Sequence, residues 1–321
     1  MSDAATEQQV DRTGVVLRTA DHYGLIGSLL TPAGHTTKPA ESTSDSAAGT
    51  AGDEKIAVVL HPATGVDYQL YRKFAEFLAG SYGWPTLIYD LRGCGLSAFT
   101  TDKKNADITM SDWILYDVPA ATNSLRNRYP EHKIVGIGHS VGAHGQLAVQ
   151  GREAPVDATV MIASHAGVTN TVRGPLERAK VWGFFNVVTP VCKKMLGYVP
   201  TEVVGFGKQV PIGVLDQWAS WTNKPGYFFQ DSNLDLCQRF EEATGPVLSV
   251  AFSDDPWAHR EAVDVLTDQL RRADVEKWDV LAGVDSPGEI GHMGFFRAQN
   301  QQLWPRVARW IRQSVTADVS A

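Results

Sequence analysis

Residues 134–150 read IVGIGHSVGAHGQLAVQ, and this stretch decides the fold. It opens with an apolar run, which is typical of a strand covered on both faces. Gly138, Ser140 and Gly142 follow as a G-x-S-x-G motif, and small residues over 141–150 favour a helix. The motif's glycines permit a strained, crowded turn that leaves the serine oxygen exposed. The stretch therefore predicts a nucleophile elbow with Ser140 at its tip.

Strands and helices alternate on both sides of this elbow. A hairpin signal covers residues 15–30, ahead of the alternating part. Apolar runs predict strands at 56–60, 86–89, 134–137, 159–163, 247–252 and 275–281, and helical spacing predicts helices near 67–78, 114–125, 260–271 and 303–311. Such alternation implies an α/β fold, with a mostly parallel sheet flanked by helices on both faces.

The alternation stops between residues 165 and 240, where aromatic residues cluster in irregular order. We interpret this segment as a helical cap inserted into one α/β domain. The predicted organisation is a disordered tail at 1–11, a core at 12–164 and 241–314 with a flexible polar loop at 31–53, the cap at 165–240, and a tail at 315–321.

The composition excludes several classes of protein. Of the 321 residues 43% are hydrophobic, which excludes a wholly disordered chain. The net charge is −7 without a basic block, so neither nucleic acid nor an anionic membrane is an expected partner. Three widely spaced cysteines argue against a disulfide framework and a structural zinc site, and we predict no metal. The sequence shows no signal peptide or membrane span, so we expect a cytoplasmic protein.

A serine nucleophile needs a base and an acid that orients the base. With these motifs the acid follows the serine along the chain, and the histidine base follows the acid. His292 lies in a loop after the last strand and is the predicted base, whereas His259 begins a helix. Asp254 and Asp255 both follow the strand at 247–252. We favour Asp255, because Pro256 biases it toward extended backbone, and keep Asp254 as the alternative.

The tetrahedral intermediate also needs backbone N–H donors. One predicted donor is Val141, directly after the nucleophile. The other is Ala63 in the loop that follows the strand at 56–60, because Pro62 has no N–H. His61 in the same loop is interpreted as structural, since one base suffices.

Together these motifs resemble the α/β-hydrolase superfamily. The resemblance covers roughly residues 56–300 and rests on LHPATG at 60–65, DLRGCGLS at 90–97, GHSVG at 138–142 and the closing GHMGFFR at 291–297. One departure is Pro62, where the superfamily usually has glycine. A closer resemblance is to predicted hydrolases labelled serine-aminopeptidase-like, which share a cap segment like PIGV at 211–214. In this picture we expect substrate contacts from His139, Trp218, Trp221 and Met293.

The predicted function is a cofactor-independent serine hydrolase, similar to a carboxylesterase or lipase, that cleaves a small-molecule ester with an apolar group. An acyltransferase, a peptidase and a thioesterase use the same triad and stay open as alternatives. A catalytically silent binding protein is disfavoured because no triad member is missing. A dinucleotide-binding protein is disfavoured because Asp157 stands at the wrong end of its strand. The natural substrate and the oligomeric state are left open.

Overall fold

An eight-stranded sheet forms the centre of the protein. The computed structural model describes residues 9–34, 55–205 and 207–316. The strands are β1 (Val10–Arg18), β2 (Gly24–Pro32), β3 (Ile56–His61), β4 (Thr86–Tyr89), β5 (Lys133–His139), β6 (Ala158–Ile162), β7 (Thr244–Phe252) and β8 (Arg272–Val280). Their order is β1-β2-β4-β3-β5-β6-β7-β8. Strand β1 pairs antiparallel with β2, and β2 pairs antiparallel with β4. The other neighbouring strands, β4-β3-β5-β6-β7-β8, all pair in parallel.

Helices connect the strands and cover both faces of the sheet. They are α1 (Arg72–Tyr82), α2 (Met110–Asp112), α3 (Val118–Arg128), α4 (Val141–Val149), α5 (Pro175–Gly183), α6 (Thr189–Leu196), α7 (Ile212–Thr222), α8 (Leu236–Glu242), α9 (Arg260–Thr267) and α10 (Trp304–Thr316). A π-helical turn joins α2 to α3, and a second joins α5 to α6. None of the helices in the described ranges is long and apolar enough to cross a membrane.

Strand β3 shows why the central strands are continuous apolar runs. Every residue of this strand is buried. Ile56, Val58 and Leu60 point into the core beneath α1 and α10, whereas Ala57 and Val59 point into the core on the other face. Successive side chains of a strand alternate between its faces, so a strand with helices on both sides has no position that faces solvent. The mostly parallel α/β sheet predicted from the sequence is therefore confirmed.

Several element boundaries differ from the prediction. Strand β1 begins at Val10, so residues 10 and 11 belong to the sheet and not to a disordered tail. Strand β2 runs to Pro32, inside the loop predicted at 31–53, and α10 extends to Thr316, inside the predicted tail. The ends of β1 and β2 stabilise each other, because residues 10–11 pair with residues 31–32. Local sequence patterns do not show such pairing. The rest of that loop from 35 to 53 lies outside the described residues, as do residues 1–8 and 317–321.

Residues 163–243, between β6 and β7, form an insertion that contains α5 to α8. Trp221 and Phe228 are completely buried inside it, and Trp221 Nε1 donates to Asp231 Oδ2 at 2.8 Å. Helix α8 continues two residues past the predicted boundary at 240. The buried aromatic residues of the insertion thus extend the hydrophobic core on one face of the sheet, where the ring of Phe228 lies 4.9 Å from that of His144 in α4.

Candidate active site

The candidate catalytic residues lie where parallel strands end. Ser140 directly follows β5, Asp255 lies three residues after β7, and His292 lies in the segment between β8 and α10. Because the carboxyl ends of parallel strands meet at one edge, ligands of open α/β sheets bind there. The fold thus brings three residues that are 115 and 37 positions apart to one end of the sheet.

The turn at Ser140 has the backbone geometry of a strained elbow. Ser140 has φ 52° and ψ −117°, which is unusual for a residue with a side chain. A Cβ on Gly138 would lie 2.2 Å from the backbone of Ala143, and one on Gly142 would lie 2.2 Å from the His61 carbonyl oxygen. Both glycines of the motif are therefore required by packing, and the turn holds the serine side chain away from the helix that follows.

Asp255 orients His292 through a hydrogen bond. Its Oδ2 lies 2.8 Å from His292 Nδ1, and its Oδ1 accepts the backbone N–H groups of Trp257 and Ala258 at 2.8 and 3.0 Å. Burial by itself raises the pKa of Asp255, but the charge and hydrogen bond of His292 outweigh it, so the pKa lies well below the ordinary value. The carboxylate is therefore ionised at neutral pH and fixes Nδ1 of His292 as a hydrogen-bond donor.

Asp254 makes different contacts. Its Oδ2 accepts the backbone N–H of Ile290 at 2.7 Å, and its Oδ1 accepts that of Gly291 at 3.0 Å. The two adjacent carboxylates hold the same loop in two ways, one through the imidazole of His292 and the other through the main chain. The geometry thus places Asp255, and not Asp254, against the imidazole.

The two predicted oxyanion donors are in different situations. Val141 begins α4, where the first N–H groups of a helix have no partner within the helix. The N–H of Ala63, by contrast, donates to Tyr71 Oη at 2.8 Å. Ala63 lines the cavity at Ser140. For Ala63 to serve as an oxyanion donor, its hydrogen bond to Tyr71 would have to be shared or released.

One cavity of about 670 Å³ contains Ser140, Asp255 and His292 in its wall. Most of the remaining wall is apolar and comes from both the sheet edge and the insertion: Ala63, Val66, Val181, Phe184, Val204, Trp218, Pro256, Trp257 and Met293. Its charged members besides the candidate triad are Glu177 and Lys180, which form an ion pair at 3.2 Å. The cavity has the size and the apolar character of a small-molecule site.

Comparisons with known proteins identify the fold. The family described as "Serine aminopeptidase, S33" matches residues 52–201. No curated protein matches the sequence. Among solved structures, an esterase of Pyrococcus furiosus shares 16% identity at a TM-score of 0.57, with 95% of this chain and 92% of that chain covered. The chain has the α/β-hydrolase fold.

Other solved structures share this fold at equally low identity. The peroxisomal α/β-hydrolase of Saccharomyces cerevisiae is 13% identical with a TM-score of 0.60, and 97% of this chain and 91% of that chain are covered. The esterase domain of a Rhodothermus marinus protein is 15% identical with a TM-score of 0.53, over 96% of this chain and all of that one. One fold supports many activities, so this likeness establishes the architecture alone.

The structure separates the four predicted substrate contacts into two pairs. Trp218 and Met293 line the cavity, and their contact with substrate stays a prediction. His139 and Trp221 are not among the described residues in its wall, and both are completely buried. Trp221 belongs to the core of the insertion, and His139 points away from the cavity into a buried hydrogen-bond network. Neither is placed to contact substrate.

Sequence reasoning missed several residues at the site. Trp257 lines the cavity and donates through Nε1 to Glu177 Oε1 at 3.2 Å. Its position two residues after Asp255 could have indicated this role. Val181 and Phe184 lie on one continuous helical segment with exposed apolar residues. Because that segment has apolar side chains on several faces, its pattern does not show which face meets the cavity.

Buried histidines are a second feature of this region. Four are at most 5% exposed: His61, His139, His144 and His165. Burial lowers the pKa of each from 6.5 to about 3, because the charged form loses its hydration. Each is therefore neutral in the folded protein at pH values where the unfolded chain binds a proton.

This difference predicts a loss of stability on acidification. Between pH 6.5 and 3 the unfolded state binds more protons at these histidines, so their contribution to stability falls as the pH falls. Asp90 and Asp117 act in the opposite direction, since burial raises their pKa to about 6 and about 7. Summing the six groups gives a net loss of ~4 kcal/mol between pH 7 and 5. Carboxyl groups with a lowered pKa titrate below this window.

Urea unfolding at pH 7, 6 and 5 measures this loss. His144→Gln is the matched variant, because an amide N–H can still donate to the carbonyl oxygen of His165, which His144 Nε2 contacts at 2.9 Å. We expect this variant to lose ~2 kcal/mol less between pH 7 and 5 than the natural protein. A free energy of unfolding that is constant over this range would contradict the prediction.

Proposed function

We propose that this α/β hydrolase is a serine hydrolase that cleaves carboxylic esters through an acyl-enzyme. Ser140 Oγ attacks the acyl carbonyl while His292 Nε2 takes its proton, and the same imidazole then protonates the departing alcohol. In the second half a water molecule gives its proton to His292 and attacks the acyl group. Ser140 regains the proton as the acid leaves. Asp255 keeps the imidazole oriented and stabilises its charged form.

One observation carries the proposal. Ser140 has the strained backbone geometry of an elbow. It lines the same apolar cavity as His292, whose imidazole is held by the buried Asp255. Strain of this kind costs about 1–3 kcal/mol and persists where the surroundings enforce it, often at active sites. The fold and the esterases that share it agree with a hydrolase, and the proposal extends this agreement to the three named residues.

We also propose that the insertion acts as a cap over residues 12–164 and 241–314. Val181, Phe184 and Trp218 of the insertion line the cavity together with Ser140 and His292 of the sheet edge. A lid of apolar side chains excludes water and favours an apolar acyl or alcohol group. The substrate class would accordingly be esters with an apolar chain that fits about 670 Å³.

Labelling with a fluorophosphonate tests the serine assignment. The reagent should attach at one site, and mass spectrometry of the digested protein should locate the adduct on the peptide that contains Ser140. Heat-unfolded protein is the control, because the unfolded chain has no oriented imidazole and should not react. An adduct on another serine, or none, would refute the proposal.

An acyl-length series tests the apolar cavity. Each buried methylene contributes about 0.8 kcal/mol, or roughly fourfold in kcat/KM. We expect p-nitrophenyl hexanoate to exceed the acetate in kcat/KM by about tenfold or more. Trp218→Ala should shift the optimum to longer chains, since it removes part of the wall. The matched variant is Trp182→Ala, because Trp182 is 53% exposed and outside the described wall, and it should leave the optimum unchanged. A preference for acetate over all longer chains would contradict an apolar cavity.

An aminopeptidase is the second candidate, and Glu177 is the observation that favours it. This carboxylate lines the cavity, where it could bind the ammonium group of a peptide N-terminus. Lys180 already pairs with Glu177 at 3.2 Å, which weakens the argument because the positive charge is supplied within the protein. Aminoacyl p-nitroanilides, assayed beside the esters, distinguish the two candidates by which substrates are turned over.

A further inference from the structure

A buried chain of hydrogen bonds connects three segments of the candidate site. The Ala63 N–H lies 2.8 Å from Tyr71 Oη, Tyr71 Oη lies 3.0 Å from His139 Nδ1, and His139 Nε2 lies 2.8 Å from the carbonyl oxygen of His292. Tyr71 and His139 are at most 1% exposed. This hydrogen-bond chain begins at Ala63 in the loop after β3 and passes through His139, the residue before the nucleophile. It ends on the backbone of His292, the candidate base.

Each bond in this chain has only one possible direction. A carbonyl oxygen can only accept, so the proton of the neutral His139 ring is on Nε2 and points at His292. His139 Nδ1 then carries no proton and accepts the hydroxyl hydrogen of Tyr71. The oxygen of Tyr71 in turn accepts the N–H of Ala63. Every donor and acceptor in the chain is therefore used once, and the chain cannot reverse.

Aromatic packing holds the two side chains in place. The ring of Phe296 lies edge-on to Tyr71 with centroids 4.7 Å apart, and it lies 5.1 Å from the ring of His139. Phe296 itself follows His292 by four residues, so the same segment supplies the candidate base and the packing for the chain. Burial raises the pKa of the Tyr71 hydroxyl and lowers that of His139 to about 3, so both groups keep one protonation state over the working pH range.

We propose that Tyr71 and His139 are positioning residues, which fix the backbone of His292 relative to the loop of Ala63 and to Ser140. This inference rests on the proposed serine hydrolase, because it assigns the two residues to the same reaction. Neither side chain is among the described residues of the cavity wall, so their effect must act through the groups they hold. A misplacement of about 1 Å at reacting groups can cost a hundredfold in rate.

Tyr71→Phe removes one hydroxyl and keeps the ring. Tyr89→Phe is the matched control, because Tyr89 is also completely buried and its hydroxyl contacts His61 Nδ1 at 2.9 Å. The two variants thus lose the same kind of tyrosine–histidine bond, and similar losses of stability are expected. We expect Tyr71→Phe to lower kcat about ten- to a hundredfold with KM changed less than about threefold, and Tyr89→Phe to stay within about threefold in kcat.

His139→Gln tests the other half of the chain. A glutamine amide N–H can replace Nε2 as the donor to the His292 carbonyl, but the amide oxygen is bonded to Cδ and does not coincide with the position of Nδ1, so the bond from Tyr71 is weakened. We therefore expect this variant to resemble Tyr71→Phe in kcat and in the rate of fluorophosphonate labelling. The double variant should be no slower than the slower single variant, since both interrupt one chain. Multiplying effects would overturn the proposal.

The measurements separate the failure of this inference from the failure of the proposed function. If the natural protein neither turns over esters nor reacts with the fluorophosphonate, the proposed function is wrong, and with it the role of the chain. If the natural protein reacts but Tyr71→Phe has the same kcat as Tyr89→Phe, the hydrolase stands and the positioning role is refuted. A slower Tyr71→Phe with unchanged KM and a Tyr89→Phe of natural rate supports it.

Discussion

Replacing Ser140 by alanine is expected to lower kcat by about 10⁴- to 10⁶-fold, because the change removes the only atom that forms the acyl-enzyme. The effect should fall on kcat and not on KM, since the apolar wall that binds the substrate is unchanged. Fluorophosphonate labelling should disappear with the activity. The measurement is ester turnover at saturating substrate, with enough enzyme to detect a residual rate of one part in 10⁶.

Folding should be unaffected by this substitution. The elbow is held through the backbone, where the N–H of Ser140 donates to the carbonyl oxygen of Ile162 at 3.0 Å and Ser164 Oγ donates to the Ser140 carbonyl oxygen at 2.9 Å. Alanine keeps both bonds and has the same difficulty as serine at φ 52°. Ser164→Ala is the matched control: it removes a neighbouring hydroxyl and should cost no more than about tenfold in kcat. Ser140→Ala with more than about 1% of natural kcat would exclude Ser140 as nucleophile.

The elements around Ser140 could be predicted because local and tertiary requirements agree there. Strand β5 needs apolar residues on both faces, and the elbow needs glycine at 138 and 142, so the sequence carries both signals together. The preference for Asp255 over Asp254 rests on the proline that follows, which is again a local property. In the structure Asp255 Oδ2 contacts the imidazole of His292, while its Oδ1 accepts the N–H groups of the two residues that follow the proline.

Contacts between distant residues could not be predicted in this way. Tyr71 meets His139 across 68 positions, and nothing in the local pattern of either residue differs from an ordinary core position. The resemblance predicts a substrate contact for Trp221 as well as for Trp218, which lies three residues earlier. A step of three keeps two residues on the same side of a helix, but a small rotation places one in the cavity and the other in the core of the insertion. Such assignments depend on packing.

Asp255→Asn is expected to lower kcat by about 10⁴-fold, because the amide fixes the wrong form of His292. The N–H groups of Trp257 and Ala258 both point at Oδ1 of residue 255, so the amide oxygen must occupy that position. The NH₂ group then faces His292 Nδ1, which has to accept and therefore cannot carry a proton. The proton moves to Nε2, the nitrogen that should accept from Ser140. The side chain keeps its size, and the rate of fluorophosphonate labelling should fall in parallel with kcat.

Asp254→Asn is the comparison that makes this assignment specific. Its amide would still accept one of the two N–H groups of Ile290 and Gly291, while its NH₂ group would face the other. The loop before His292 would loosen, but Asp255 would still hold the imidazole at Nδ1. We expect a loss in kcat of about tenfold, which is a thousandth of the effect at Asp255. The same ratio should appear in the labelling rate, because both measurements depend on proton removal from Ser140. Equal losses in the two variants would contradict the assignment to Asp255, and a greater loss at Asp254 would show that the orienting acid is Asp254.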